Sequence, residues 1–237
     1  MLSICTFKWG DKYTLEHCTR WARMMRRNLT PGWFELVLIT DRPEEAGDDL
    51  ALGSEFNRII PLWSAMSDAK LCGVRLHAFH PSMRELIGPR FAWVDLDVVV
   101  TGNVDHIFGR SEPFVGLATP QGPLWYNGSL IMMDAGARPQ VESLWTPQAY
   151  AALPARYAAQ GMRHGGQSDE GWMTAVLGPN EARVGPSDGI RYFKHLERTG
   201  STSLPPDTCM VIMNGLKYDP SMPKWQGQYP WIAKHWR

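Results

Sequence analysis

Two aspartates, Asp95 and Asp97, stand two positions apart in an otherwise apolar run that extends from Phe91 to Gly102. Such a run is typical of a strand buried on both faces, and alternate side chains of a strand share one face. At about 5 Å and an effective dielectric constant near 20, the two carboxylates would repel each other by roughly 3 kcal/mol. A divalent cation removes this cost and leaves positive charge for an anionic ligand such as a diphosphate. The spacing therefore predicts a site for a metal ion and a diphosphate.

The elements that must position these carboxylates follow from periodicity in the first half of the chain. Apolar runs predict strands, and apolar residues at helical spacing predict helices between them. The predicted strands span residues 2–7, 34–39 and 57–62, and the predicted helices span 13–29 and 65–79. This alternation implies right-handed crossovers and a mainly parallel sheet, which binds ligands at the carboxyl ends of its strands. Residues 7–10, Asp41 and the two aspartates are therefore expected to gather there.

The second half of the chain is less regular. Its predicted strands span residues 113–118, 128–133 and 209–213, and its predicted helices span 147–160 and 169–177. The pattern is weak between residues 179 and 206. Because no internal repeat or low-complexity linker divides the chain, a single domain over residues 1–237 is favoured.

Composition argues against several classes of protein. The 237 residues carry no formal net charge and 44% of them are hydrophobic, as in ordinary soluble globular proteins. The basic group at residues 23–27 fits the exposed face of a helix, so no nucleic-acid partner is expected. No run is long enough to span a membrane, no leader-like segment follows Met1, and the four cysteines lack metal-ligand spacing. A cytoplasmic protein is the simplest interpretation.

Several segments resemble one family in the order in which they occur. The segment FAWVDLDVVVTGNVDHIF (91–108) resembles the "LDxD" segment of nucleotide-sugar-dependent glycosyltransferases with the A-type, Rossmann-like fold. The resemblance is greatest to the family that includes glycogenin and the bacterial galactosyltransferases of lipopolysaccharide. Further matching segments are TFKWGDKY (6–13), LITDRPEE (38–45), YNGSL (126–130), SDE (168–170), MNGLK (213–217) and WIAKHW (231–236). The resemblance covers nearly the whole chain and implies a mixed, mainly parallel sheet flanked by helices.

The resemblance also implies roles for individual residues. The implied donor-binding residues are Phe7, Trp9, Tyr13, Asp41, Lys70, Asp95, Leu96, Gly215 and Lys217. The implied catalytic residues are Asn127 and Asp169, which would face the sugars, and Lys217, which would touch the diphosphate. The implied metal ligands are Asp95, Asp97 and Asn214, the last standing where the family usually has a histidine.

Each of these roles has an alternative that the residues alone leave open. Asp95 and Asp97 could be two solvated acids on an exposed edge strand or turn, and Asp95 could hold the ribose instead of sharing the metal. Trp9 and Tyr13 could pack at the start of a helix, and Lys217 could simply be solvated. Asp169 could be an ordinary acid of a helix start. Its neighbours Glu170, His164 and Gln167 have a similar but weaker claim to the sugars, and His235 or a water molecule could complete the metal site.

Together these expectations describe a metal-dependent glycosyltransferase. The resemblance implies Mn²⁺ or Mg²⁺, a nucleotide-diphosphate sugar (a UDP-sugar above all), a carbohydrate or other hydroxyl acceptor, and retention at the anomeric carbon. Residues 1–110 would form the nucleotide-binding half, and residues 111–237 the acceptor-binding half with a C-terminal lid from Gly215.

Three rivals stay open at this point. A phosphatase of the haloacid dehalogenase type also places Asp-x-Asp after an apolar strand, although its motif normally opens the domain. A nucleotidyltransferase would need a glycine-rich, basic phosphate loop, which residues 2–11 do not contain. A non-catalytic protein that binds carbohydrate or nucleotide on a transferase fold is suggested by the missing histidine.

Overall fold

The computed structural model describes residues 1–66, 71–119, 124–159 and 166–237, with all their side chains except those of Leu71 and Leu216. The strands within these ranges are β1 (Leu2–Lys8), β2 (Phe34–Thr40), β3 (Arg58–Pro61), β4 (Arg90–Val94), β5 (Val98–Val100), β6 (Phe114–Ala118), β7 (Tyr126–Asp134), β8 (Ala182–Val184), β9 (Ile190–Tyr192) and β10 (Met210–Ile212). One sheet has seven strands in the order β3-β2-β1-β4-β7-β6-β8, and a second has three in the order β5-β10-β9.

Short helices connect most of these strands. They are α1 (Leu15–Asn28), α2 (Pro43–Asp48), α3 (Leu50–Gly53), α4 (Met83–Leu86), α5 (Asp105–Phe108), α6 (Gln140–Ser143), α7 (Pro147–Ala151), α8 (Leu153–Ala159), α9 (Asp169–Leu177), α10 (Phe193–Thr199), α11 (Pro223–Gln228) and α12 (Pro230–His235). Three 3-10 helices span Leu71–Phe79, Pro186–Asp188 and Leu216–Tyr218. None of the helices in the described ranges combines the length and apolar character that a membrane span requires.

The predicted fold class is confirmed. Strand β1 pairs in parallel with β2, and β2 pairs in parallel with β3, while β6 and β7 form an antiparallel pair. The sheet is therefore mixed and mainly parallel, with helices between its strands, as the alternating pattern predicted.

The chain forms two compact units that are interleaved in sequence. The first comprises Met1–Leu62, Ala92–Arg110 and Val184–Arg237, and the second comprises Trp63–Phe91 and Ser111–Arg183. The predicted functional halves, 1–110 and 111–237, do not follow this division and stay a prediction.

The first unit has its core around β1, whose seven residues are all buried. Helix α1 packs with Cys18, Trp21 and Met25 buried, and the Trp21 ring stacks on that of Phe56. Its basic residues lie on the opposite side, which confirms the helical spacing predicted from the sequence.

The acid-bearing run is not one strand, and this corrects the prediction for residues 91–102. Strand β4 ends at Val94, and β5 begins at Val98 in the second sheet, where it pairs antiparallel with β10. Asp95 to Asp97 form the turn between them. Two carboxylates inside a sheet buried on both faces would be costly, and the chain places them where it leaves that sheet. The alternation argument for one shared face therefore does not apply.

Two predicted helices also differ from the structure. In the described part of the segment 65–79, Ala65 and Met66 lie in a turn and Leu71–Phe79 is a 3-10 helix. Gly73 and the neighbouring Cys72 and Val74 are poor α-helix formers. The segment 147–160 contains two helices, α7 and α8, that meet at Ala152. Pro154 lacks the N–H that a continuous helix would use there.

The weakly patterned part of the chain holds more regular structure than its sequence indicated. Strands β8 and β9 and helix α10 lie between residues 179 and 206, and α11 and α12 occupy the tail. These elements are only three to seven residues long, and segments of this length are too short to establish a period.

Candidate functional site

The turn between β4 and β5 is tied to the loop that follows β10. Asp97 is buried, with 3% of its surface exposed, and its Oδ2 accepts a hydrogen bond from the Gly215 N–H at 2.5 Å. The Asp97 carbonyl oxygen accepts a second bond from the Met213 N–H at 3.0 Å. Of the two neighbours, Leu96 is buried and Asp95 is partly exposed. Side chain and backbone of Asp97 together fix residues 213–215 against this turn.

The loop itself has an unusual backbone. Asn214 has φ +60° and Gly215 has φ +83°, both in the left-handed region that favours glycine and tolerates asparagine. Asn214 is exposed and stands between the two residues that bond to Asp97. The sequence-predicted third metal ligand is therefore placed at the Asp97 turn, while its role as a ligand stays a prediction.

A lysine and a tyrosine from the loop before α1 complete the surroundings of Asp97. The Lys12 Nζ lies 4.0 Å from Asp97 Oδ2 and 4.4 Å from the centre of the Tyr13 ring. The Tyr13 hydroxyl is buried, and it lies beside the carboxylate of Asp97. Burial, and then the negative charges of Asp97, Asp95 and Asp219, raise the pKa of Tyr13.

The loop between β1 and α1 is held by Asp41. Its Oδ2 accepts a hydrogen bond from the Gly10 N–H at 2.9 Å, and Lys8 Nζ donates to the Gly10 carbonyl at 2.7 Å. Gly10 has φ +57°, which a glycine adopts without strain. The structure therefore gives Asp41 a positioning role, and its predicted contact with the nucleotide stays untested.

The aromatic residues of this loop differ in exposure. Phe7 is buried, with its ring edge-on to Trp9 at 6.3 Å and to Trp93 at 6.0 Å between centroids. Trp9 is partly exposed and could offer a ring to a ligand. Phe7 packs in the core, so of these two residues Trp9 is the one placed to contact a nucleotide-sugar donor as predicted.

Lys217 is exposed and already has a partner. Its Nζ donates to the Tyr218 hydroxyl at 3.0 Å, which in turn donates to Glu197 Oε2 at 2.8 Å. The hydrogen bond with Tyr218 raises the pKa of Lys217, so the side chain is a cation at neutral pH. Its predicted contact with a diphosphate stays a prediction.

The tail beyond Gly215, expected to form a lid, is bound to the rest of the first unit. His17 Nε2 lies 3.3 Å from Asp219 Oδ2. Arg27 donates to the carbonyl oxygens of His235 and Arg237 at 2.8 and 2.6 Å. Burial and the neighbouring cations, Arg27 among them, lower the pKa of His235. The alternative role of His235 as the third metal ligand stays a prediction.

The second unit holds its own polar cluster, and it includes both remaining catalytic candidates. Arg75 Nη2 and Asp169 Oδ2 form an ion pair at 2.5 Å, and each side chain is only 4% exposed. Glu170 Oε1 accepts hydrogen bonds from Asn127 Nδ2 at 2.8 Å and from the Gly128 N–H at 3.0 Å. Asp169 therefore has a specific partner and is more than an ordinary acid of a helix start. The predicted sugar contacts of Asn127 and Asp169 are not tested.

Gly128 shows how tightly this cluster is packed. A Cβ atom at position 128 would lie 2.7 Å from Asp169 Oδ2 and 2.9 Å from Arg75 Nη2, inside ordinary contact distance. Arg75 was not among the predicted site residues, and its one signal is that it is the only arginine or lysine of the apolar segment 71–79. Lys70 and His164, which the sequence did single out, lie outside the described residues.

The donor atoms at the Asp97 turn suit a hard divalent cation. Within the described ranges, no three His, Cys, Asp or Glu side chains come together as a metal cluster. Mg²⁺ and similar ions need fewer protein ligands, because they bind one or two carboxylates, keep waters and take further oxygens from substrate phosphates. In type and number, the carboxylates of Asp95 and Asp97 are compatible with such an ion, and their role as its ligands stays a prediction.

The fold itself has close counterparts among solved structures. The galactosyltransferase LgtC, solved with donor and acceptor sugar analogues, superposes with a TM-score of 0.63 at 9% identity, over 98% of this chain and 96% of that chain. The fold is that of the A-type glycosyltransferases. The glycosyltransferase GlyE of Streptococcus pneumoniae TIGR4 superposes with a TM-score of 0.62 at 11% identity. All of this chain is covered, and it spans 62% of the GlyE chain.

Comparison of sequences does not assign the chain to a family. No protein-family model matches the chain, and no curated protein matches it. At identities of 9% to 11%, the likeness to LgtC and GlyE establishes the fold and leaves function to be argued from the site.

Proposed function

We propose that this chain is a metal-dependent glycosyltransferase. It transfers a sugar from a nucleotide-diphosphate sugar, with UDP as the nucleotide, to a hydroxyl of a carbohydrate or other acceptor. The observation that carries the proposal is the bond from the Gly215 N–H to Asp97 Oδ2, which joins the two predicted diphosphate-binding segments on an A-type fold. Ligands of open α/β sheets bind at the carboxyl ends of strands, and the turn after β4 is such an end.

The residues of the first unit have separable parts in this reaction. Asp95 and Asp97 would hold the metal ion, which, when bound, supplies Lewis-acid stabilisation of the departing diphosphate. Gly215 keeps the loop against Asp97, and its missing side chain lets a phosphate approach the backbone closely. Lys217 would add positive charge after leaving Tyr218, as a mobile lysine can.

The residues of the second unit are assigned to the sugars. Carboxylate and amide groups recognise hydroxyls, and Asp169 and Asn127 carry such groups. Their fixed hydrogen bonds, to Arg75 and to Glu170, hold the side chains in one rotamer, which a sugar-specific contact requires. Retention at the anomeric carbon is part of the proposal through the resemblance of the sequence.

Thermal-shift measurements with UDP-, GDP- and ADP-sugars, each with and without Mn²⁺, test the donor and the metal together. Stabilisation that needs both Mn²⁺ and a UDP-sugar is expected, since each ligand completes the other's site. Stabilisation by a nucleotide sugar that is unchanged in excess chelator would contradict the metal role.

The variant Asp97→Asn tests the residue itself. Its amide oxygen can still accept the Gly215 N–H, so the fold should persist while the metal-dependent shift and sugar transfer are lost. Asp207→Asn is the matched control, because Asp207 pairs with Arg191 at an exposed position outside the proposed site. Transfer at the wild-type rate by Asp97→Asn would refute the assignment.

The two main rivals can be separated in the same assays. The A-type fold and the preceding strands leave no support for a haloacid dehalogenase phosphatase. A non-catalytic binding protein is favoured by one observation, the exposed Asn214 where the family usually has a histidine. Such a protein would show the Mn²⁺- and UDP-sugar-dependent shift but no release of UDP with any acceptor.

A further inference from the structure

Lys12 is a cation placed at the carboxylate that the proposed metal would need. Its Nζ lies 4.0 Å from Asp97 Oδ2, and its side chain is 44% exposed whereas that of Asp97 is 5% exposed. The ammonium group also lies 4.4 Å from the centre of the Tyr13 ring, within range of a cation–π interaction. Lys12 therefore reaches the buried acid from the solvent side.

The surroundings explain why a cation is held there. Asp219 lies in the same region as Asp97, because His17 Nε2 is 3.3 Å from Asp219 Oδ2 and the His17 ring centre is 5.3 Å from that of Tyr13. Oδ2 of Asp97, the oxygen that faces Lys12, also accepts the bond from Gly215. A cation at this oxygen offsets charge that would otherwise be concentrated around a buried group.

A divalent ion at Asp97 would compete with this ammonium group. Two cations that share one carboxylate oxygen repel each other, so Lys12 must leave before the ion gains the full attraction of Asp97. A lysine carries its charge on a flexible four-carbon chain, and a bound diphosphate offers the displaced ammonium group a new anionic partner.

We propose that Lys12 couples metal binding to nucleotide binding, occupying Asp97 in the absence of ligands and transferring to the diphosphate when nucleotide and metal ion bind together. The proposal rests on the proposed function, because it takes the Asp97 turn as the diphosphate site. Lys12 then weakens the metal alone and strengthens the ternary complex, which is a coupling between two ligands.

Binding of Mn²⁺ and UDP to the full chain measures this coupling. The Mn²⁺ affinity is read from the electron paramagnetic resonance signal of free Mn²⁺, with and without UDP, and the UDP affinity from calorimetry at saturating Mn²⁺. The test variant is Lys12→Met, and the control is Lys224→Met. Lys224 is an exposed lysine whose Nζ lies 4.2 Å from the Trp225 ring centre. It has the same kind of ring contact as Lys12, but no carboxylate partner within the part of the chain that the structure describes.

Opposite changes in the two affinities are expected. An ion pair whose charged atoms are 4.0 Å apart and open to water changes a dissociation constant by about fivefold. Lys12→Met should therefore bind Mn²⁺ alone about fivefold more tightly, and should bind UDP at saturating Mn²⁺ about fivefold more weakly. Lys224→Met should behave as the wild type in both measurements.

The outcomes separate this proposal from the function on which it rests. Absence of Mn²⁺-dependent UDP binding in the wild type would overturn the proposed function and this proposal with it. Normal wild-type binding, with Lys12→Met indistinguishable from Lys224→Met, would overturn only the role of Lys12. Weaker Mn²⁺ binding by Lys12→Met in the absence of UDP would also overturn it, because a competitor's removal cannot weaken binding.

Discussion

Replacing Asp169 by asparagine removes the negative charge that faces the buried Arg75 guanidinium, while the shape of the side chain stays nearly the same. The two groups are 2.5 Å apart and each side chain is 4% exposed, so water cannot replace the lost partner. At about 4 Å between charge centres and an effective dielectric constant of 20, the attraction is about 4 kcal/mol. Removing one partner of a buried pair typically costs about 3–5 kcal/mol. Asp169→Asn should therefore lower the free energy of unfolding by this amount.

Urea unfolding followed by circular dichroism measures the effect, and a melting temperature lower by about 10 °C should accompany it. The control is Glu16→Gln, because the Glu16–Arg20 pair has the same 2.5 Å separation with 68% of the Glu16 side chain exposed. Exposed pairs of this i,i+4 type contribute about 0.3–0.5 kcal/mol. An equal loss in both variants would show that burial does not set the strength of the Arg75–Asp169 pair and would refute the reasoning.

A double variant separates the energy of the Arg75–Asp169 ion pair from the packing of the two side chains. Arg75→Met combined with Asp169→Leu removes both charges and keeps much of the side-chain volume. Replacing a buried ion pair by apolar groups is often close to neutral. The double variant should therefore be more stable than Asp169→Asn alone.

Three further predictions follow from single positions. Gly128→Ala should lower the free energy of unfolding by about 1–3 kcal/mol in urea titrations, because the new Cβ lies 2.7 Å from Asp169 Oδ2 and must displace it. Burial alone would raise the pKa of Asp219, but hydrogen bonds from His17 and Ser221 lower it from 3.8 to about 2. The free energy of unfolding that this carboxylate contributes should therefore be complete above pH 4 and decline as the pH falls toward 2. Asp219→Asn should flatten that decline. Asn214→Ala should cost about 1 kcal/mol at φ +60°, whereas Asn214→Gly should not, as calorimetric melting of the two variants would show.

Each of these has a control or an outcome that contradicts it. Gly166→Ala, where a Cβ meets nothing within 4 Å, should leave stability close to that of the wild type. A wild-type acid titration that is flat between pH 4 and 2 would contradict the lowered pKa of Asp219. Equal melting temperatures for the alanine and glycine variants at position 214 would mean that the left-handed backbone is not strained.

The sequence predicted the fold correctly, but it predicted the local geometry around Asp95 and Asp97 wrongly. Periodicity located β1, β2 and α9 to within a residue or so of their observed bounds, because apolar runs and the spacing of apolar residues are local signals. The two carboxylates in the apolar run were recognised from the sequence, but the prediction of one continuous strand around them was wrong. Strand β5 forms by pairing with β10, which lies far along the chain and leaves no local signal.

The partners of the candidate residues were the part that sequence could not supply. Arg75 and Lys12 carry no local pattern, and their roles depend on which acid the tertiary structure brings to them. Asn127 and Asp169 were named from the resemblance, but their bonds to Glu170 and Arg75 depend on packing between separate elements.

The pairing of β5 with β10 has a consequence for synthesis of the chain on the ribosome. The turn at Asp97 receives hydrogen bonds from Met213 and Gly215, and Gly215 is synthesised 118 residues after Asp97. A nascent chain that has already formed β1, α1 and β2 still lacks these two bonds. The turn therefore acquires them only after residue 215 has left the exit tunnel, and a ribosome stalled before residue 213 would display a chain whose Asp97 turn is not yet tied to the loop after β10.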